Sequence, residues 1–345
     1  MLRLPDFRYH APRSVSEAVD LLAADPQHSM LIAGGTDLLP NMKRRQQMPL
    51  TLIGLRRVAG LRELRHTDGL ELGACVTLTD IVRELAGSRR PQYGALWQAA
   101  AQVATPQLRN MGTIGGNLCL DTRCNYYDQS YEWRKAIDFC MKKDGGICWV
   151  ATSSPKCLAV SSTDTAPALM ALGASLTLAS ASGSRRIALA DFYRNDGIEY
   201  LTRQPNELLT AVDVPQLNGW RSTYWKLRRR GAFDFPVLSV ASAAKFAGDG
   251  TIEDVRLVLG SVASRPLVVP EVTDELVGNT LRDEIIERAA DLAARPARPM
   301  DNTDFGLVWR KRMTRDLVTY ALRELRGDDT RTLRVRLSRQ ELLVQ

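Results

Sequence analysis

Five of the six cysteines fall in one stretch between Thr113 and Asp164: Cys119, Cys124, Cys140, Cys148 and Cys157, with only Cys75 elsewhere. Their spacing is Cys119-x4-Cys124-x15-Cys140-x7-Cys148-x8-Cys157. No CxxC pair occurs, so a zinc ribbon or finger matches poorly. An iron–sulfur cluster needs four thiolates but no universal spacing, and this stretch can supply them. The competing reading is a set of free thiols packed as small hydrophobes. Asp121, Arg123, Asp128, Lys142, Lys143 and Asp144 surround the cysteines, a polarity foreign to a core helix. Gly145 and Gly146, just before Cys148, allow backbone N–H groups to approach cluster sulfurs and tune them. Spacing alone does not choose between Cys119 and Cys124 as a ligand. Cys75, on a strand-like stretch, reads as a core residue.

Two glycine pairs offer a second chemistry. After the apolar run Met30–Ala33 come Gly34, Gly35, Thr36 and Asp37, and Gly112–Asn117 reads GTIGGN. Adjacent glycines let backbone N–H groups line one concavity, a way to hold a phosphate without lysines. Two such turns, each beside a Thr, can face one another across a single elongated ligand. Neither is GxGxxG, so a Rossmann dinucleotide fold is not indicated.

The 345-residue chain has room for two or three domains, and its 45% hydrophobic and 25% charged residues fit an ordinary globular protein. Apolar runs are too short for a transmembrane helix, and the start, MLRLPDFRYHAPRS, shows no signal core. A cytoplasmic location is expected, where clustered cysteines point to metal or redox chemistry rather than disulfides. The net charge of +7 is spread over short basic clusters, so no nucleic-acid stripe is expected. Three scattered histidines, His10, His28 and His66, argue against a His-based metal site or triad.

These residues need elements to hold them. Ser14 to Glu17 is a capping box that predicts a helix over about 15–24. Strands are expected at 51–55 and 70–72, with helices from Thr79 to about Ala86 and over 96–104. Pro167 near the start of a helix capped by Thr165, with Gly173 ending it, precedes strands at 174–179, 185–189 and 207–214. From Asn218 a second region begins, with strands at 224–228, 237–246 and 252–259 and a turn at Gly248–Gly250. Amphipathic helices are expected over 281–294 and 312–326, an α+β pattern. Residues 331–345 read as a loose polar tail, or as an arm that orders on a partner.

The motifs AGGTDLLP, TIGGN, an Asp before APALMALGA, and YWKLRRRGAFDFPVLSVA occur in that order. Together they make the chain, to about Leu325, resemble the FAD-binding medium subunit of the molybdenum hydroxylases, the xanthine dehydrogenase and carbon monoxide dehydrogenase family. The cysteine-bearing insert further resembles the medium (beta) subunit of 4-hydroxybenzoyl-CoA reductase. The resemblance implies an α+β fold: a two-lobed FAD-binding domain of the molybdopterin dehydrogenase type over 1–217, with an iron–sulfur insert at about 119–160. A C-terminal α+β domain over 218–326 and a polar tail over 327–345 would follow.

It also implies that Ile32, Ala33, Gly34, Gly35, Thr36, Asp37, Leu38 and Leu39 wrap the FAD pyrophosphate. Thr113, Gly116 and Asn117 would form the second wall. Asp164 would hydrogen-bond near the flavin, Lys226 would reach the cofactor from the C-terminal domain, and Val103 and Leu209 would pack against it. Cys124, Cys140, Cys148 and Cys157 would hold a 4Fe–4S cluster, leaving Cys119 as a non-ligand. The implied function is electron transfer between FAD, that cluster and partner-subunit clusters, with no catalytic acid or base in this chain. Implied partners are a molybdenum-cofactor large subunit, a small subunit with 2Fe–2S clusters, and a ferredoxin-like electron partner, assembled as a dimer of heterotrimers.

The expected complex activity is reductive dehydroxylation of an aromatic CoA thioester. The alternatives are hydroxylation of an aromatic or N-heterocyclic substrate, or a non-redox nucleotide-binding protein with a structural zinc site.

Overall fold

The computed structural model describes residues 3–86 and 90–338. Strands in chain order are β1 (Arg8–His10), β2 (Ser29–Ile32), β3 (Thr51–Gly54), β4 (Leu64–His66), β5 (Gly69–Gly73), β6 (Ser175–Ser180) and β7 (Gly183–Ala188). They continue with β8 (Leu208–Pro215), β9 (Trp220–Leu227), β10 (Leu238–Phe246), β11 (Ile252–Gly260) and β12 (Leu267–Val268). They form three sheets: a parallel β1-β3-β2, an antiparallel β4-β5-β8-β6-β7 and an antiparallel β12-β11-β10-β9. Helices pack on each, so the fold is α+β.

The helix Val15–Ala24 crosses from β1 to β2, which parallel pairing requires. Ser14 Oγ accepts from the Glu17 amide at 3.1 Å, and Glu17 returns by accepting the Arg13 amide at 2.8 Å. The end of β2 delivers the Gly34–Gly35 turn, where Gly35 takes φ 70°, and the short helix Leu38–Lys43 follows. The helix Leu78–Leu85 has a complete capping box from Thr77 and Asp80, and the Leu78 amide donates to the Gly112 carbonyl at 2.9 Å. That bond ties the second glycine segment to a rigid helix start.

The four-stranded sheet is buried on both faces. Tyr224, Ala241, Ala243 and Val258 face one core, shared with the five-stranded sheet and with the helices Gly94–Gln102 and Thr165–Ala171. Trp225, Leu227, Val240, Ala244, Leu257 and Leu259 face another, closed by the helices Asp283–Ala294 and Leu307–Arg326. The period-two alternation of strands divides these side chains.

Several elements differ from expectation. GTIGGN is not a plain turn: Thr113 caps a short helix, Ile114–Leu118, by accepting the Gly116 amide at 3.1 Å. Thr165 is the first residue of its helix, not its cap; Asp164 holds that place. The helix expected over 96–104 is Gly94–Gln102, because Val103 turns extended and Ala104 takes φ 44°. The helix expected from 312 begins at Leu307, behind Gly306, which gives no side-chain cap to read. Residues Arg331–Ser338 form a helix rather than a loose tail. Arg334 anchors it, stacking on Trp225 at 4.1 Å and pairing with Glu324. Residues 339–345 of the expected tail lie outside the described residues.

Candidate functional site: two adjoining cavities

The larger cavity, about 740 Å³, lies between the glycine segments. Ile32 to Leu38 form one wall. Thr113, Gly116 and Asn117 form the facing one, with Val103 and Leu209 as apolar lining. Gly34 packs so tightly that a Cβ there would collide with the Met111 carbonyl oxygen. Close backbone approach is therefore the reason for glycine at this position. Leu39 lies outside the lining; its amide donates to the Gly35 carbonyl at 3.1 Å and its side chain packs beneath Gly35. Asn117 Oδ1 accepts from Thr163 Oγ1 at 2.8 Å, the Thr165 amide at 3.1 Å and Thr165 Oγ1 at 2.7 Å. It thereby joins the second wall to the start of the Thr165–Ala171 helix.

Asp164 lines the cavity from a buried position. It accepts from Tyr224 Oη at 2.7 Å and Lys226 Nζ at 3.0 Å. Burial pushes the Asp164 carboxyl up from its usual range, opposed by the Lys226 charge and the Tyr224 hydrogen bond. Burial likewise pushes Lys226 down, opposed by Asp164. Lys226 was expected to reach the ligand directly, but it stands behind Asp164, outside the lining, with a second bond to the Gln102 carbonyl at 3.0 Å.

The smaller cavity, about 10 Å³ and roughly one water in size, is lined by Cys124, Cys140, Cys148 and Cys157 with Tyr126, Tyr127, Met141, Lys142, Trp149, Val150 and Ala159. All four cysteines are buried free thiols. Cys119 lies instead in the lining of the larger cavity, as does Cys75, whose thiol points at the Leu55 carbonyl 3.8 Å away. Burial pushes Cys124 up to about 12. It pushes Cys157 up to about 11, against the pull of the Ala159 amide and the Lys142 charge. The sulfurs line a space rather than converge on a point: among the described residues, no three or more His, Cys, Asp or Glu are grouped to hold a metal ion. The donor set is soft and all thiol, the kind of ligand an iron–sulfur cluster takes, around a space about one water in size.

The insert's backbone is shaped around Cys140. Asp138, Phe139 and Asp144 take φ of 60°, 57° and 70°, a left-handed region that non-glycine residues seldom adopt and that recurs at ligand clamps. The Cys140 carbonyl accepts the Lys143 amide at 2.9 Å and the Gly145 amide at 3.1 Å. The Gly145 N–H is thus spent on the loop, contrary to the expected approach to sulfur. Gly197, which no local pattern marks out, abuts the site: a Cβ there would stand 2.6 Å from Cys157 Sγ.

Some of the polar residues that surround the insert's cysteines are buried. Arg123 pairs with Asp37 on the first glycine turn and with Asp128, and it stacks on Phe235 at 4.6 Å. Lys142 pairs with Asp121. Lys143 and Asp144 do lie toward solvent, 3.3 Å apart. No helix among the described residues is long and apolar enough to cross a membrane.

Residues 5–217 match the model of the FAD binding domain in molybdopterin dehydrogenase, and residues 222–325 match the CO dehydrogenase flavoprotein C-terminal domain. The aldehyde oxidoreductase FAD-binding subunit PaoB of Escherichia coli is 35% identical over 75% of this chain and 82% of its own length. The nicotine 6-hydroxylase medium subunit of Paenarthrobacter nicotinovorans is 29% identical over 92% of this chain and 96% of its own. A solved carbon monoxide dehydrogenase from Hydrogenophaga pseudoflava superposes with a TM-score of 0.76 at 26% identity, covering 94% of this chain and 98% of that one. A matched FAD-binding model over more than half the chain excludes the non-redox, zinc-bearing alternative as the reading of the whole. With its cavity between two glycine segments and its C-terminal α+β domain, the chain belongs to the family of FAD-binding domains of molybdopterin dehydrogenases and is an oxidoreductase flavoprotein.

Proposed function

We propose that this chain is the FAD-carrying medium subunit of a molybdenum hydroxylase complex and that its insert holds a 4Fe–4S cluster. Its partners are a molybdenum-cofactor large subunit and a small subunit with 2Fe–2S clusters, assembled as a dimer of heterotrimers, with a ferredoxin-like carrier as an outside partner. The observation that carries the reading is that four of the five insert cysteines, Cys124, Cys140, Cys148 and Cys157, line one buried pocket adjoining the large cavity. The FAD-binding segment spans 1–217 and is followed by the C-terminal domain over 218–326. When bound, FAD supplies the change between two-electron and one-electron chemistry, and the cluster supplies one-electron steps.

The residues do the holding. Gly34 and Gly35 bring backbone N–H groups close to the pyrophosphate, while Gly116, whose amide is taken by the Thr113 cap, fixes the second wall with Thr113 and Asn117. Asp164 presents a buried acceptor, kept in place by Lys226 and Tyr224. Val103 and Leu209 exclude water. Cys124, Cys140, Cys148 and Cys157 would hold the cluster as thiolates, and their thiol protons would be released on binding.

For the complex, oxidation of an aromatic, N-heterocyclic or aldehyde substrate on the large subunit is favoured over reductive dehydroxylation of a CoA thioester. The names of the relatives support this: one hydroxylates nicotine and another is an aldehyde oxidoreductase.

Anaerobic purification with flavin, iron and sulfide assays tests the reading. One FAD with about four iron and four sulfide per chain is expected for Cys₄ ligation. FAD without iron would remove the cluster and leave the flavin subunit. Turnover of a CoA thioester, with none of aldehydes or N-heterocycles, would reverse the preferred substrate class.

A further inference from the structure

The wall between the two cavities contains a buried ion pair whose ends face opposite ways. Lys142 Nζ lies 2.8 Å from the Asp121 carboxylate, and their side chains are 5% and 6% exposed. The ammonium also donates to Thr122 Oγ1 at 2.7 Å and to the Gly197 carbonyl at 2.6 Å. Three donors meet three acceptors, so the charge is fixed in place. Its flanks are the rings of Tyr127 and Tyr200, 4.8 and 5.5 Å away. Asp121 also accepts from Tyr127 Oη at 3.0 Å and Gln47 Nε2 at 3.4 Å.

Lys142 and Tyr127 line the cysteine cavity, whereas Asp121 and Tyr200 line the flavin cavity. Arg123, in the lining of the flavin cavity, is paired with Asp37 and Asp128. Desolvating two charges costs several kcal/mol per ion, and apolar side chains of similar size often do as well for stability. Stability alone therefore gives no reason for an ion pair here, whereas a fixed dipole between two redox sites has a direct consequence.

We propose that Lys142 and Asp121 form an oriented ion pair that biases electrons from the flavin side toward the four-cysteine side. The positive end stabilises an added electron at the cysteine site, and the negative end opposes added charge at the flavin site, in a medium where screening is weak. One electron lost on the flavin side is one gained on the cysteine side, and no proton need cross the wall. The inference rests on the cluster reading above.

The test is a redox titration of the cofactor-loaded protein, following the cluster by electron paramagnetic resonance and the flavin by its visible spectrum. Lys142→Gln should shift the cluster midpoint to more negative potential, and Lys142→Arg should restore it. Asp121→Asn should shift the flavin midpoint to more positive potential. An unmoved cluster midpoint in Lys142→Gln with full iron and flavin would overturn the proposal. Should that variant fail to fold, an unmoved flavin midpoint in Asp121→Asn would overturn it instead. A wild-type protein without iron would fail the cluster reading first, and the iron assay reveals that before any variant is made.

Discussion

The two cavities are built from different materials. The flavin cavity's two facing walls are glycine segments at the ends of regular elements, held by a capping box, a Thr cap and the Asn117 tie. The cysteine cavity is mostly side chain, set in a loop whose shape depends on left-handed residues and buried charges. The first is specified by small residues that are absent of bulk, the second by donor atoms that are present. A binding site made of geometry fails when something is added; one made of ligands fails when something is taken away.

Crossed substitutions sharpen this most. Cys140→Ser should abolish bound iron while FAD remains, and Gly34→Ala should expel FAD while iron remains; flavin and iron assays on both variants read the four outcomes. Loss of both cofactors in either variant would merge the two cavities into one unit.

The buried Asp164–Lys226 pair comes next. Asp164→Ala leaves a buried lysine unpaired and should cost about 3–5 kcal/mol, together with flavin retention. Adding Lys226→Met should recover stability but not flavin, as denaturant unfolding and flavin content would reveal. Full recovery of both would reduce Asp164 to a structural role. Thr77→Ala removes a helix cap beside the Gly112 segment and should cost about 1 kcal/mol, loosening FAD slightly and leaving iron alone; thermal melting and flavin affinity measure it.

The smallest effect is acid sensitivity at the flavin cavity's edge. Arg185 donates to Glu207 at 2.6 and 2.8 Å and holds its carboxyl below the ordinary 4.5. A depressed carboxyl stabilises the fold above its unfolded value, so that contribution should fade as pH drops below about 4.5 through the lower folded value. Glu207→Gln should flatten this part of a stability–pH profile, and an unchanged slope would remove Glu207 from it.

The same contrast explains what could be read in advance. Ser14 and Glu17, the Gly34–Gly35 pair and the strand alternation are local signals; the Val15–Ala24 helix and most strands stand within a residue or two of expectation, while Trp220–Leu227 begins four residues before the expected 224. GTIGGN was misjudged as a turn because its glycines hide a helix whose cap is Thr113. The ion pairs were illegible: Asp164 and Lys226 are brought together only by packing of the four-stranded sheet on the Thr165–Ala171 helix. Asp121 and Lys142 read only as polar residues around the cysteines, since nothing local marks them as partners; their pairing and burial come from the tertiary wall. The Arg331–Ser338 helix was hidden by its charge, since its docking depends on one arginine lying across a tryptophan.

The doubly buried sheet has a consequence for how the chain is made. With Tyr224 and Ala241 in one core and Trp225 and Val240 in the other, strands β9 and β10 finish both halves at once. During synthesis the flavin half leaves the ribosome first, still lacking the surface that Tyr224 and Lys226 provide to Asp164. The surroundings of Asp164 are therefore complete only once Trp220–Leu227 and Leu238–Phe246 have packed, which ties the last wall of the first half to the folding of the half that follows it in the chain.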